Sequence, residues 1–421
     1  MIVFQLTRDF RTSDALTLYA AYEYTQKNNK TLCPVFRFNP QQIDPKKNSY
    51  FSSNAVQFMC ESLEQLSKKM NISFVEGKSD QEYINLLKSN KVERIFIARD
   101  FTPFARKRVQ LLESVCPVEE IDDITVHPMD IYKVFTKLGP FISFVEKMDF
   151  PEPIDIKVDW LKETHYLPSF HGWNKKFHHF YTSNPNLMVH PDQLDELIDH
   201  LKENTKGYAQ KKIREQIGDP KVSYLSAFIK FGLVSIRQIH ALAYNQMDKA
   251  DGKAFSRELY FRDFFYCLAW NHPEKVFDEP NWTKKHGCPK IISSYDASLF
   301  KGCSESKEAE KIYEDLVNGQ TEYDLINAGV NQLVETGYLL NRLRMLLASY
   351  LTRDKGLWWK YAEKFYANHL TDYDWTINAL NHQNIAKIGL YPKYTQDFSI
   401  ERQESMNKVD KQKYLDEYLT H

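Results

Sequence analysis

The stretch VETGYLLNRLRMLLASYLTRD, residues 334–354, decides the architecture of the larger part of this chain. Leu333, Gly337, Leu340, Leu343, Leu347 and Leu351 recur at helical spacing as one apolar stripe, while Tyr338, Asn341 and Met345 fall on a neighbouring face at i, i+3 and i+7. The spacing predicts a helix over 323–351 with a core face and a polar-aromatic face. Asn341, Arg342 and Arg344 then fall in mid-helix, where a solvated cluster is the ordinary outcome and a ligand site the alternative. Outward from this helix, the same period runs through 193–202, 223–231, 235–244, 255–269, 307–317, 358–368 and 403–419. Residues 193–421 therefore read as an all-α bundle.

Toward the N-terminus the period changes. Short apolar runs at 2–6, 32–38, 72–75 and 94–98 alternate with helical patterns at 15–27, 55–70 and 81–89. This predicts a Rossmann-like α/β domain over residues 1–130, a parallel sheet flanked by helices. No GxGxxG follows any of the runs, so the dinucleotide fingerprint is missing. Residues 131–192 carry Pro140, Pro151, Pro153, Pro168 and Pro185 and the run HGWNKKFHHFY, and read as an interdomain linker. His171, His178 and His179 lack a carboxylate or Cys partner at ligand spacing and are read as exposed linker histidines, with no metal assigned.

Composition sets outer bounds. A chain of 421 residues fits two or three domains and can bury a large cofactor site. With 43% hydrophobic and 26% charged residues and no long apolar run, a soluble protein with no membrane span is expected. The net charge of -1 leaves any nucleic-acid surface to local patches. Lys202, Lys206, Lys211, Lys212 and Arg214, then Lys284, Lys285 and Lys290, then Arg342, Arg353 and Lys355 are candidates, although Lys-rich helix surfaces are commonplace. Dispersed cysteines without CxxC, and a strand-like MIVFQL start, point to reduced thiols and an intracellular location.

Three more segments carry chemistry. In LTDYDWTIN, residues 370–378, Asp372 and Asp374 are placed in a loop where they can take the charge of Arg344 or accept hydrogen bonds from a ligand. A turn or helix cap is the plain alternative. FSRELYFRDFFYCL, residues 255–268, puts Glu258, Phe261, Arg262 and Phe265 on one helix face, a local ion pair being the plain alternative. SYLSAFIKFGLVSIRQI, residues 223–239, opens with Ser223 and Ser226 at a helix start, where hydroxyls can hold a phosphate or cap the helix.

In this order and at these separations, the four segments resemble the flavin-binding helical domain of the DNA photolyase and cryptochrome family. FQLTRDFRTSDALTLYAA, residues 4–21, is similar to the family's N-terminal strand, and RDFTPFARKRV, residues 99–109, also has a family look. The resemblance implies an antenna domain followed by an all-α FAD-binding catalytic domain. It implies flavin contacts from Tyr208, Ser223, Leu225, Ser226, Arg262, Tyr338, Asn341, Arg344, Asp372, Asp374 and Asn378. Among these, Arg262 would reach the diphosphate, Asp372 would pair with Arg344, Asp374 would bind the adenine-ribose side and Asn378 would face flavin N5. Val222 stands where the family has a Thr.

The implied activity is light-driven repair of UV-damaged DNA, with reduced FAD splitting a cyclobutane pyrimidine dimer flipped out of the strand. Glu258, Asn341, Met345 and Asn378 would be catalytic, and Glu258, Phe261, Arg342, Met345 and Asn384 would meet the lesion or DNA. Phe261 replaces the family's stacking Trp, and Asn384 another lesion-contacting Trp. His382 occupies the position of the relay Trp nearest the flavin. Trp359 matches the middle relay member and the outer position falls near Ser306, so Tyr373, Trp375 or Trp358 would have to substitute. NRLRM resembles cyclobutane-dimer enzymes, and the later YTQDFSIERQ has a DASH-cryptochrome flavour that brings in single-strand preference as an alternative. The rivals are a photoreceptor without repair activity and a flavin-free nucleotide-binding or structural protein. The antenna chromophore stays open among folate, deazaflavin, a second flavin or none, because the expected acidic folate contact falls on Ala105 or its neighbours. A monomer is expected.

Overall fold

Short buried strands and longer helices divide the chain into the two expected layers. The computed structural model describes every residue except 77, 133, 156–158, 169–176, 215, 218–220, 278–287, 293–303, 391–399, 401–407 and 420–421. Strands β1 (Ile2–Gln5), β2 (Leu32–Phe38), β3 (Ser73–Glu76), β4 (Arg94–Ala98) and β5 (Val118–Ile121) form a parallel sheet in the order β3-β2-β1-β4-β5. β1 and β2 are buried along their whole length, as unbroken apolar runs must be when both sheet faces are covered. The register sets Phe4 against Pro34 on one side and Phe96 on the other. The strand order reverses between β1 and β4, so the loops leaving their C-terminal ends open a crevice of the kind in which such sheets bind ligands.

Helix α1 (Leu16–Asn28) covers the sheet, and α2 (Ser53–Ser67) begins at the capping hydroxyl of Ser52. Helix α3 (Asp80–Ser89) starts in a capping box between Ser79 and Glu82, and α4 (Pro103–Glu113) is capped by Thr102 with Pro103 in its first turn. Neither α4 nor β5 belongs to the alternation read from the sequence. The residues of β5, VEEI, are all half-buried at the sheet edge and lack an apolar run.

The helical layer contains α5 (Ser226–Phe231), α6 (Ile236–Gln246), α7 (Lys249–Asn271), α8 (Lys307–Val317), α9 (Asp324–Thr336), α10 (Asn341–Ser349), α11 (Trp359–His369), α12 (Trp375–Ile385) and α13 (Lys408–Tyr418). The single helix expected over 323–351 is therefore two. Gly337 adopts φ +67° as the left-handed C-cap of α9, and a Cβ there would come within 2.6 Å of Thr371 Oγ1. Asn341 consequently opens α10, and Arg342 and Arg344 lie in its first turns.

The layers are joined by buried charge. Arg11 binds Asp123, and Arg237 binds Asp123 at 2.8 Å and Asp14 at 2.9 Å, all with side chains at most 4% exposed. Gly232, at φ +71°, lies so near the N-terminal layer that a Cβ would be 2.0 Å from the Arg8 carbonyl oxygen. Cys33, Cys60, Cys116 and Cys267 are free thiols. Cys288 corrects the expectation of reduced thiols throughout, since it is disulfide-bonded; a disulfide depends on spatial approach that sequence spacing does not display. His178 meets the Tyr181 hydroxyl at 2.7 Å and His179 meets Glu76 at 2.9 Å, while His171, Lys284 and Lys285 lie outside the described residues. Among the described residues no group of three His, Cys, Asp or Glu could hold a metal, and no helix is long and apolar enough to cross a membrane.

Candidate active site

The break at Gly337 shapes the site. Thr371 N donates to the Gly337 carbonyl at 2.9 Å, bringing the segment before α12 alongside the start of α10. There Arg344 donates Nε to the Leu339 carbonyl at 2.7 Å and Nη2 to Asp372 Oδ2 at 3.0 Å, with its guanidinium 5.8 Å from the Tyr338 ring centroid. Burial opposes the charge of Arg344, but Asp372 outweighs it and raises the pKa. Asp372 Oδ1 is buried and has no hydrogen-bond partner, so an acceptor remains available to a donor that the chain does not supply.

Asp374 faces the other way. Its Oδ1 accepts from Ile377 N at 3.1 Å and caps α12, the helix-cap alternative for this segment. Its Oδ2 accepts from Arg8 Nη2 and from the Tyr266 hydroxyl, each at 2.6 Å. Burial raises the pKa of Asp374, but Arg8 and the Tyr266 hydrogen bond more than reverse this and hold it below the usual value. Asn378 donates Nδ2 to the Asp374 carbonyl at 2.9 Å, and its own carbonyl meets His382 Nδ1 at 2.7 Å. Burial pushes His382 down to about 4, so the imidazole is neutral at physiological pH, with Nε2 lacking a partner. Asn384 is 1% exposed with neither amide atom bonded.

Tyrosines line the approach. Tyr224, at φ +56°, sets its ring tilted 5.3 Å from Tyr338, and Tyr208 packs 5.5 Å from Phe255. Burial raises the pKa of Tyr208, and the Glu258 carboxylate adds to the shift. Ser223 Oγ accepts from Leu225 N at 3.4 Å, Leu225 is buried and Ser226 is the exposed first residue of α5. Glu258 and Asn341 are exposed, and Phe261, Arg342 and Met345 are half-buried. Asn341 Nδ2 lies 3.9 Å from Met345 Sδ. Phe261 packs on Phe265 at 4.7 Å. Arg262 donates to the Ile124 carbonyl at 2.5 Å and lies 4.6 Å from the Tyr266 ring, so its hydrogen bond goes to the chain itself. Trp359 is 1% exposed within the core, whereas Tyr373 and Trp375 line a cavity.

That cavity, about 450 Å³, opens at the β1/β4 switch point and reaches the loop before α12. Arg8, Arg108 and Lys230 lie on its wall with the aromatic rings of Phe104, Tyr373 and Trp375. Among the described residues, neither Arg108 nor Lys230 forms an ion pair within 4 Å, but Asp100 and Asp9 act on Arg108 and Asp374 and Asp372 on Lys230 through space. Burial and the neighbouring Arg8 push Lys230 down to about 8, and burial lowers Arg108. The periodicities that place elements could not find this cavity, because its wall is drawn from residues within 5–8, 36–59, 100–112, 230–231 and 367–375, with Tyr83. A signal for Tyr266 was present: it follows Glu258 and Arg262 at four-residue steps on one face of α7.

The two halves match known families separately. Residues 2–149 match the DNA photolyase family, and residues 255–421 match the FAD binding domain of DNA photolyase. A cryptochrome DASH of Idiomarina loihiensis is 26% identical over 433 residues, covering 95% of this chain and 89% of that one. A deoxyribodipyrimidine photo-lyase of Alkalihalophilus pseudofirmus is 25% identical over 414 residues, covering 91% and 79%. Among solved structures, an archaeal photolyase from Sulfolobus tokodaii with two FAD molecules superposes with a TM-score of 0.80 at 26% identity, covering 100% of this chain and 90% of that one. This chain belongs to the DNA photolyase and cryptochrome family and carries that family's FAD-binding domain. The unsatisfied acceptor on Asp372 fits such a group, since a flavin brings ring N–H and hydroxyl donors.

Proposed function

We propose that this protein is a light-driven repair enzyme that uses FAD to split cyclobutane pyrimidine dimers in DNA. The observation that supports this most directly is the open face beside the Arg344–Asp372 pair, where Glu258 and Asn341 are exposed in the neighbourhood of Tyr208 and Tyr338. Bases turned out of a strand need acceptors and donors for their edges and apolar groups for their faces. Glu258 and Asn341 supply the first, and Met345 and Phe261 the second. Arg342, next to Asn341 on α10, would serve as a phosphate contact. Reduced FAD, when bound, supplies the light-excited electron donor. The chain's own contribution is to hold the Asn378 amide against Asp374, keep His382 neutral and bury the Arg344–Asp372 pair out of bulk water.

The test is illumination of the reduced, FAD-loaded protein with dimer-containing DNA, measuring restored thymine against a dark control. Loss of dimers in the light supports repair, and none on duplex or single-stranded DNA sinks it in favour of a photoreceptor. Because the relatives include both photo-lyases and cryptochrome DASH, the same assay on both substrates separates a general enzyme from a single-strand-preferring one.

We also infer that the cavity at the β1/β4 switch point takes an antenna chromophore bearing phosphate. Arg108 and Lys230 offer cations that form no ion pair among the described residues, although Asp100 and Asp9 act on the first and Asp374 and Asp372 on the second, and the flanking aromatic rings suit a flat ring system. Ala105, in the cavity wall where the resemblance would put an acidic folate contact, favours a second flavin or a deazaflavin. The Sulfolobus tokodaii relative contains two FAD molecules. Chromatography of the chromophores released by denaturation tests this, and FAD alone after growth with flavin and deazaflavin supplied would count against it.

A further inference from the structure

We infer that Arg8 is a positioning residue for the flavin, acting through Asp374 on the helix that carries Asn378. The inference rests on FAD binding and not on DNA repair. Arg8 follows β1 in a segment fixed from both sides. Thr7 N donates to Asp9 Oδ1 at 2.9 Å, Phe10 N donates to the Phe231 carbonyl at 3.2 Å, and the bare Cα of Gly232 presses on the Arg8 carbonyl. The side chain is equally committed. Nε donates to the Lys230 carbonyl at 3.2 Å, Nη2 to the Tyr266 hydroxyl at 2.8 Å and to Asp374 Oδ2 at 2.6 Å, and Nη1 reaches Asp100 at 3.5 Å.

Asp374 transmits this constraint. One oxygen takes Arg8 while the other caps α12, so the cation and the helix start are joined by a single carboxylate that is 7% exposed. The Asp374 carbonyl then accepts both Asn378 N and Asn378 Nδ2 at 2.9 Å, which fixes which end of that amide is spent on the chain. With its NH2 group held, Asn378 has its side-chain oxygen left to present, and its backbone carbonyl holds His382. Without Arg8, Asp374 would be a buried carboxylate with only the Tyr266 hydroxyl on Oδ2, and the first turn of α12 would lose its anchor on the sheet.

A bond between layers could serve stability alone, and Arg237 provides the comparison. It also joins the layers through buried carboxylates, Asp14 and Asp123, but makes no contact with α12. Apoprotein of the full chain is titrated with FAD, and the bound flavin's absorption and midpoint potential are recorded without DNA. Arg8→Gln should weaken FAD binding by about tenfold, the scale of one charge-assisted hydrogen bond, and shift the potential. Arg8→Lys should recover part of both. Arg237→Gln should lower Tm while leaving affinity and potential at wild-type values.

Wild-type affinity and potential in folded Arg8→Gln would overturn the inference, as would equal shifts in Arg237→Gln. Should Arg8→Gln not fold, Arg8→Lys decides: intermediate values support the role and wild-type values reject it. A wild-type protein that binds FAD but splits no dimers removes the repair reading and leaves this one standing.

Discussion

Asp372 accepts from Arg344 at 3.0 Å through one oxygen, while its other oxygen is buried without a partner. A chain that needed Asp372 only as a counter-ion would have little reason to leave half of it unsatisfied, because an unmade buried hydrogen bond is costly.

The first prediction follows. Asp372→Asn keeps the shape but removes the charge that holds Arg344 and halves the acceptor capacity. FAD affinity should fall by about 10- to 100-fold, the range for a hydrogen bond to a charged group. Fluorescence titration of the apoprotein checks it, and an unchanged Kd would mean that the free oxygen faces no cofactor donor.

Acid should destabilise the fold through its histidines. His127, His240 and His382 are each pushed down to about 4 by burial. Between that value and the ordinary 6.5 the unfolded chain binds more protons, so their contribution is full above 6.5 and is lost as pH falls toward 4. Asp9 and Asp263 are pushed up by burial, to about 7 and about 6, and act in the opposite sense because the folded state holds their protons longer. His240 isolates one contribution: neither ring nitrogen is bonded, and it stacks 4.7 Å from Phe150 beside Tyr260 and His127. In His240→Phe, the stability lost between pH 7 and pH 5 should shrink by about 2 kcal/mol. Urea midpoints at the two pH values measure it, and parallel slopes would sink the assignment.

Local period carried the reading of the sequence a long way and then failed for identifiable reasons. Unbroken apolar runs revealed β1 to β4, and the three-to-four-residue recurrence revealed most of the helices. The leucine stripe through Leu333, Leu340 and Leu347 concealed the break at Gly337, because the stripe continues on both sides of a left-handed residue. Asp374 left loop and helix cap both open, because its capping role depends on the fold of the residues after it. The Arg344–Asp372 pair could be read, since a buried guanidinium requires a carboxylate and one lies nearby in sequence. The Arg8–Asp374 pair could not, because its partners are 366 residues apart.

Gly232 tests how tightly the layers must approach. Its φ of +71° disfavours any side chain, and a Cβ would lie 2.0 Å from the Arg8 carbonyl oxygen and 2.8 Å from Asp9 Cα. Both contacts are backbone and cannot swing aside. Gly232→Ala should therefore cost roughly 3 kcal/mol or more, and should weaken FAD binding by disturbing Arg8. Gly139→Ala, with nothing within 4 Å of the added carbon, should change stability by no more than about 0.5 kcal/mol. Thermal unfolding of the two variants compares them directly, and similar Tm values would mean that the interface can open at little cost.

The last prediction separates the two chromophore sites. Arg108 and Lys230 belong to the cavity wall, and among the described residues no hydrogen bond or ion pair joins either side chain to Asp372 or Asn378, although the Asp372 charge reaches Lys230. If an anionic antenna molecule occupies the cavity, replacing both cations by Arg108→Gln and Lys230→Gln removes its counter-charges while the flavin cradle stays built. Burial lowers both pKa values, so neutral replacements also relieve a desolvation cost, and the variant should be at least as stable as the wild type. Retention of the second chromophore should fall by about tenfold or more, with FAD stoichiometry unchanged. Light-driven dimer splitting per absorbed photon should persist, whereas splitting at wavelengths that only the antenna absorbs should disappear. A variant that loses FAD together with the second chromophore would show that the cavity and the cradle are one site, and full retention of the second chromophore would show that these cations do not hold it.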